Sequence, residues 1–133
     1  MNYRTIELEI EAGIAVLRLN RPERRNAMSD EMSEEFASAL DAVAAGAARA
    51  LVLTGSGQAF CAGGDLGWMQ QQMKADGETR FAEASKLAKM LFAMNTLSKP
   101  VIGAIQGNAF GGGLGLISIC DVAIGVDRAM MGF

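Results

Sequence analysis

The sequence predicts an α/β fold built around a parallel sheet, and three observations lead there. Short apolar runs at residues 50–54, 101–105 and 122–124 are separated by stretches too long for hairpins. Those stretches carry helical periodicity, so the runs are joined by crossovers, and crossovers join parallel strands. Twice, at residues 51–68 and 101–118, a strand leads into a glycine-rich loop and then a helix start.

The elements follow in the order ββαβααβαβ. Ile6, Leu8 and Ile10 alternate with Glu7, Glu9 and Glu11, which is the period of a half-buried strand. Ala12-Gly13 turns the chain, and residues 14–19 return as a second strand, closing a hairpin. A loop over 20–28 contains Pro22. Ser29 and Asp30 are helix N-cap residues, and Met32, Phe36, Leu40 and Val43 then mark one helix face, with Gly46 as its stop. Residues 50–54 form a buried strand ending at Gly55, and 55–64 form a glycine loop. Asp65 caps a short helix over 66–73. Asp76-Gly77 breaks it, and Phe81, Leu87, Met90, Leu91 and Met94 define a longer helix ending near Thr96. Residues 101–105 are a strand, 107–112 a loop, 113–119 a short helix and 122–124 a strand. The acids Glu31, Glu34 and Glu35 read as a solvated helix face.

Composition limits the function classes. The chain has 133 residues, half of them hydrophobic, enough for one domain with a core. A net charge of −3 with no basic face argues against a nucleic-acid protein. Arg21, Arg24 and Arg25 form a local basic cluster, suited to one anionic group rather than a polyanion track. There is no histidine and there are only two cysteines, so histidine-based catalysis and metal sites are not expected. The N-terminus is too polar for a secretory signal, which points to a reducing, cytoplasmic setting. Residues 101–120 carry no charge, and Gly103, Gly107, Gly111 and Gly115 recur every four residues, as in a glycine-faced membrane helix. Six glycines in that run, each costing about 1 kcal/mol in a helix, favour a strand, a turn and a short helix instead, with no membrane span.

The chemistry is concentrated in two loops, residues 59–66 (AFCAGGDL) and 107–115 (GNAFGGGLG). Each follows a buried strand and opens a helix, whose first N–H groups are unpaired and carry partial positive charge. Glycine lets a ligand approach that backbone closely. Both loops sit at strand carboxyl ends, where α/β proteins bind ligands. Two such N–H groups aimed at one point make an oxyanion hole, each worth about 3–4 kcal/mol in a transition state. Neither loop matches a phosphate-binding fingerprint. The plain alternative is that both are tight turns that allow close helix packing.

Three segments in order then carry a resemblance. Residues 21–28 (RPERRNAM) resemble an R-P-x-x-x-N-A-[LM] loop, and residues 60–66 (FCAGGDL) an F-[SC]-A-G-x-D-[LI] segment. Residues 99–113, followed by Cys120-Asp121, are similar to K-P-[VT]-I-A-x-[VI]-x-G-x-x-x-G-G-G with a later C-D. These are motifs of the crotonase (enoyl-CoA hydratase/isomerase) superfamily, and the resemblance covers residues 3–133 as the N-terminal part of one acyl-CoA-binding domain, apparently truncated. It implies a spiral of ββα units around a parallel sheet, a homo-oligomer of trimeric or hexameric form, and acyl-CoA or enoyl-CoA thioesters as substrates. Coenzyme A is then part of the substrate, with no separate cofactor.

By position, the resemblance assigns the oxyanion-hole N–H groups to Gly64 and Gly112. It places Ala62, Asp65 and Leu66 along the adenine and pantetheine, Arg24 and Arg25 near the CoA phosphates, and Trp68 and Met69 toward the acyl pocket. One position departs. Hydratases of this superfamily carry a glutamate two residues after the third glycine, and here that residue is Gly115, which cannot transfer a proton. The second family glutamate falls beyond Phe133. The G-G-G-L-G-L form and Leu66-Gly67-Trp68-Met69 are similar to single-glutamate isomerases and to bacterial hydratases of the methylglutaconyl-CoA type. Cys61 reads as a packing residue, and Asp121 as a structural hydrogen-bonding residue at a helix–strand junction. A non-catalytic CoA-binding protein is the competing expectation.

Overall fold

The computed structural model describes residues 2–133. Strands β1 (Ile6–Glu11) and β2 (Ile14–Leu19) form an antiparallel hairpin, with Ile6 opposite Leu19 and Glu11 opposite Ile14. The two turn residues, Ala12 at φ 52° and Gly13 at φ 81°, both occupy the left-handed region. Paired positive φ values match the right-handed twist of the flanking strands. Helix α1 (Asp30–Ala45) crosses to β3 (Ala50–Gly55), which pairs in parallel with β2. Helices α2 (Leu66–Lys74) and α3 (Gly77–Asn95) then cross to β5 (Val101–Ile105), and α4 (Gly112–Ser118) to β7 (Val122–Gly125). The large sheet runs β1-β2-β3-β5-β7, parallel throughout apart from the first pair.

A second sheet was not anticipated. Strands β4 (Ala59–Cys61), β6 (Asn108–Phe110) and β8 (Met131–Gly132) pair in parallel in that order. Each follows one strand of the large sheet, so the chain steps three times from large sheet to small. This is the repeated ββα unit. Two of the three short strands lie inside segments whose glycine content reads as loop, and none is long enough to show a period. The uncharged run 101–120 is divided into β5, β6 and α4, and no described helix is long and apolar enough to cross a membrane.

One core joins the large sheet to the helices. Met32, Phe36, Ala39, Leu40 and Val43 of α1 are fully buried with Leu17, Leu19, Leu51 and Leu53 of the sheet and with Met90 and Met94 of α3. The periodic face of α1 is therefore the buried one. Two long-range polar ties fix the ends of α1. Lys99 Nζ donates to the carbonyls of Val43 and Gly46 at 2.5 and 2.9 Å, covering the negative end of the helix. Glu35, expected on a solvated face, instead accepts from the main-chain N–H groups of Arg4 and Thr5, both at 2.8 Å, and from the Thr5 hydroxyl. Burial pushes its carboxyl up, but those hydrogen bonds outweigh it and hold the group below its usual range. Asp121 is structural, as expected. Its carboxylate accepts from Val101 N–H at 2.7 Å, and its own N–H donates to Val101 O at 2.8 Å.

The start of β6 tolerates no side chain. A Cβ on Gly107 would lie 1.8 Å from the carbonyl oxygen of Gln58. Gly107→Ala is expected to destabilise the protein by about 3 kcal/mol, read as a lower urea midpoint at unchanged slope.

Candidate active site

The loop over residues 21–28 organises the site through Asn26. This residue is fully buried and held at φ 56°, where asparagine is better tolerated than most side chains. Its Oδ1 accepts from Arg21 N–H at 2.8 Å, and its Nδ2 donates to the carbonyls of Ser56 and Ala59 at 2.9 and 3.0 Å. One amide thus closes its own loop and fastens it to the segment between β3 and β4. Gln106 supports the same segment from the other side. Its Oε1 accepts from Gly55 N–H at 3.1 Å, and its Nε2 donates to Ala59 O at 2.8 Å. A Cβ on Gly55 would lie within 3.0 Å of both amides and of Phe60 O, so glycine is required there. Sequence reasoning placed Asn26 in a motif without a role and passed over Gln106. An asparagine four residues after Pro22, a residue type that tolerates the left-handed region and fastens turns through its amide, was the available signal for the first.

From Arg25 to Met28 the loop runs beside the first glycine loop, joined to it by an isolated parallel bridge between Met28 and Gly64. Ala62 N–H donates to Arg25 O at 3.0 Å, Met28 N–H to Gly63 O at 2.7 Å, and Asp65 N–H to Met28 O at 2.8 Å. Gly63 sits at φ 97°, a conformation that side chains rarely allow. Asp65 caps α2 by accepting from Trp68 N–H at 2.9 Å, and its other oxygen meets Arg21 at 3.0 Å. Arg21 also donates to Ala27 O at 2.7 Å. The Trp68 N–H bond and the neighbouring Arg21 and Arg24 charges hold the Asp65 carboxyl below its usual range, against the opposing effect of burial.

The second glycine loop opens α4. The caps of α1, α2 and α3 are Ser29, Asp65 and Asp76, each accepting from a first-turn N–H through its side chain. The N-cap of α4 is Gly111, at φ 53° and ψ −120°, which offers no such acceptor. The two loops abut. A Cβ on Gly63 would lie 3.0 Å from Phe110 O and 3.6 Å from the nitrogen of Gly112, and one on Gly113 only 2.5 Å from Cys61 O. Among the described residues, neither the Gly64 nor the Gly112 N–H donates to a protein acceptor.

A groove of about 490 Å³ adjoins this junction. Arg24, Arg25, Ala62, Gly64, Asp65 and Leu66, six of the residues singled out from sequence, line it together. Arg24 and Arg25 are exposed and form no ion pair among the described residues. Arg25 and Ala62 also border a second hollow of about 540 Å³, reaching Asn108 and Phe110. Gly112, Trp68, Met69 and Gly115 do not line the groove. Trp68 turns toward α3, where its indole N–H donates to Glu83 at 3.4 Å, and Glu83 is paired to Lys86 at 2.8 Å. Met69 lies against Gly64, its Sδ 3.0 Å from where a Cβ would stand. A Cβ on Gly115 meets nothing within 4 Å. Cys61 is buried, and burial pushes its thiol up, consistent with a packing role.

Solved structures share the architecture: an enoyl-CoA hydratase from Shewanella pealeana superposes with a TM-score of 0.93 at 35% identity, over 96% of this chain and 49% of that one. This is the crotonase fold. The enoyl-CoA hydratase/isomerase family model matches residues 9–133, and the chain belongs to that family. Among curated relatives, the hydroxycinnamoyl-CoA hydratase-lyase of Pseudomonas fluorescens is 40% identical over 98% of this chain and 48% of its own length. The crotonyl-CoA hydratase of Syntrophomonas wolfei is 37% identical over 99% of this chain and 50% of its own length. The chain thus spans about half the length of the curated relatives it matches.

Two outcomes follow from the site's construction. Asn26→Ala leaves Arg21 N–H and Ser56 O without their buried partner and is expected to cost roughly 3 kcal/mol in chemical denaturation. The lowered Asp65 carboxyl contributes stability that is fully present above its ordinary value of 3.8 and is lost as the pH falls through the lower folded value. Asp65→Asn should therefore shrink the loss of stability as the pH falls below 3.8, measured by urea melts across the acid range.

Proposed function

We propose that this chain provides the thioester-binding half of an enoyl-CoA hydratase/isomerase-type site. The observation that carries the reading is the pair of unpartnered N–H groups, on Gly64 and Gly112, at the junction of two abutting glycine loops beside a groove edged by two free arginines. Arg24 and Arg25 would meet the CoA phosphates, and Ala62, Asp65 and Leu66 would follow the adenine and pantetheine. The carboxylate of Asp65 is engaged by Arg21 and Trp68, so its contribution to CoA would come from the main chain.

In the proposed mechanism the thioester carbonyl oxygen accepts from both N–H groups. As negative charge moves onto that oxygen, whether by loss of a proton from the adjacent carbon or by addition of water across the conjugated double bond, both bonds strengthen. Each donor then stabilises the enolate-like transition state more than the ground state, which is the condition for raising a rate. A carboxylate must move the proton, and with Gly115 at the expected place it would come from outside these residues. Hydration of an enoyl-CoA in fatty-acid or branched-chain acyl breakdown is the preferred reaction, supported by the hydratase names of the relatives. Gly115 specifically favours a second reading, an isomerase or a non-catalytic CoA-binding homologue. A cytoplasmic homo-oligomer, trimeric or hexameric, completes the proposal. The exposed apolar residues Val122, Ile124, Met130 and Phe133 are consistent with further protein contacts.

Calorimetry with acetoacetyl-CoA tests the hole. Gly112 is the first residue of α4, a position that accepts proline; the change removes the N–H, and the added Cβ would stand 3.7 Å from Met28 Sδ, without a clash. Gly112→Pro is expected to fold, by circular dichroism, and to bind about 2 kcal/mol more weakly. Equal binding by both proteins would show that the hole is misplaced. Gly115→Glu is expected to fold and to gain up to about 1 kcal/mol in helix stability, since its side chain enters open space. A higher hydration rate in that variant, without a matching rise in double-bond migration, would favour the hydratase over the isomerase reading.

A further inference from the structure

Met28 borders both halves of the proposed donor pair. Its main chain brackets Gly64: Met28 N–H donates to Gly63 O at 2.7 Å, and Met28 O accepts from Asp65 N–H at 2.8 Å. Together these make a parallel bridge between Met28 and Gly64. In a parallel bridge the residue between the two bonds turns its own N–H to the opposite side. That places the Gly64 donor away from the Met28 main chain. The Met28 side chain, only 5% exposed, reaches the other loop. A methyl group added to Gly112 would stand 3.7 Å from Met28 Sδ, which is van der Waals contact.

The start of α4 needs such support. Gly111 caps it without a side chain; its N–H donates to Gly132 O at 3.0 Å, and its carbonyl accepts from Leu114 N–H at 3.0 Å. Packing must therefore help to locate the Gly112 nitrogen. Met69 provides the contrast. It touches Gly64 from α2, is 47% exposed, and does not reach the second loop's donor.

We infer that Met28 is a positioning residue that sets the separation between the Gly64 and Gly112 N–H groups, an inference that rests on the oxyanion-hole reading above. Hydrogen bonds weaken steeply with angle and distance, and small misplacements in a reacting site carry large penalties. Loss of the sulfur beside Gly112 opens room for that residue to shift, and should therefore weaken capture of a carbonyl oxygen without weakening capture of CoA itself.

The test compares acetoacetyl-CoA with free CoA, which lacks the carbonyl, by calorimetry on the whole chain. Met28→Ala and Met28→Val remove the atom at the sulfur position, and Met28→Leu keeps a carbon there. Thermal melts establish which variants are folded, and valine decides if alanine does not fold. The affinity ratio of thioester to CoA is expected to fall at least about tenfold in the alanine and valine variants. It should stay within about threefold of wild type in the leucine variant. A purely structural role would lower the melting temperature, or both affinities together, and leave the ratio unmoved. An unchanged ratio in a folded alanine or valine variant overturns the role of Met28 alone. A wild type that prefers the thioester no more than CoA overturns the oxyanion reading and this inference with it.

Discussion

The site depends on one buried amide. Asn26 accepts from Arg21 and donates to Ser56 and Ala59 while standing in the left-handed region with no solvent exposure. A buried polar group is costly unless its hydrogen bonds are met, and here both ends of the amide have partners. The same three bonds set where the 21–28 loop lies against the chain leaving β3. The bonds of Ala62 to Arg25 and of Gly63 and Asp65 to Met28 then follow, because they are made by residues that Asn26 has already placed. Aspartate in this position would bring an unpaired charge next to two carbonyls. A hydrophobic residue would leave them bare.

Around that anchor the helix starts are treated in two ways. Ser29, Asp65 and Asp76 fill the positive ends of α1, α2 and α3 with their own oxygens, which makes them poor places for an external anion. Gly111 leaves the end of α4 unfilled, and the neighbouring Gly63 keeps the space before it clear of any side chain. Asp65 shows how close the two treatments lie. Its side chain serves α2 and Arg21, while the adjacent Gly64 N–H is left without a protein acceptor. The Asn26, Arg21 and Asp65 side chains around the junction all have partners, and the Gly64 and Gly112 N–H groups donate to no described protein acceptor.

Long periodic elements were legible in the sequence. The stripe Met32, Phe36, Leu40 and Val43 is the buried face of α1, and the runs at 50–54 and 101–105 are interior parallel strands. Six of the singled-out residues line one groove because a motif in one loop and a motif in another are brought together by strands that were themselves predictable. Three things were not legible. The strands β4, β6 and β8 are two or three residues long, and pairing across the chain creates them where local preference does not. The role of Glu35 depends on the chain start lying across α1, a contact thirty residues away in sequence. Trp68 sits on a helix start beside the site, yet its orientation is set by Glu83, fifteen residues later, and by the Lys86 that holds Glu83.

The glycines finally separate scaffold from chemistry. Gly107 and Gly113 would drive a Cβ into the carbonyls of Gln58 and Cys61, and Gly63 and Gly111 occupy conformations that side chains resist. These four are imposed by the close passage of the two loops, and without them the loops could not abut. Gly115 belongs to a different class. Its Cβ would face open space, and glycine inside a helix lowers stability, so neither packing nor conformation explains its presence. A glycine that the fold does not require, at the place where relatives of this kind are expected to carry an acid, bears on the reaction rather than on the architecture. The loop junction proposed to hold the carbonyl oxygen and the group proposed to move the proton are therefore separable: packing imposes the junction whatever residue occupies position 115.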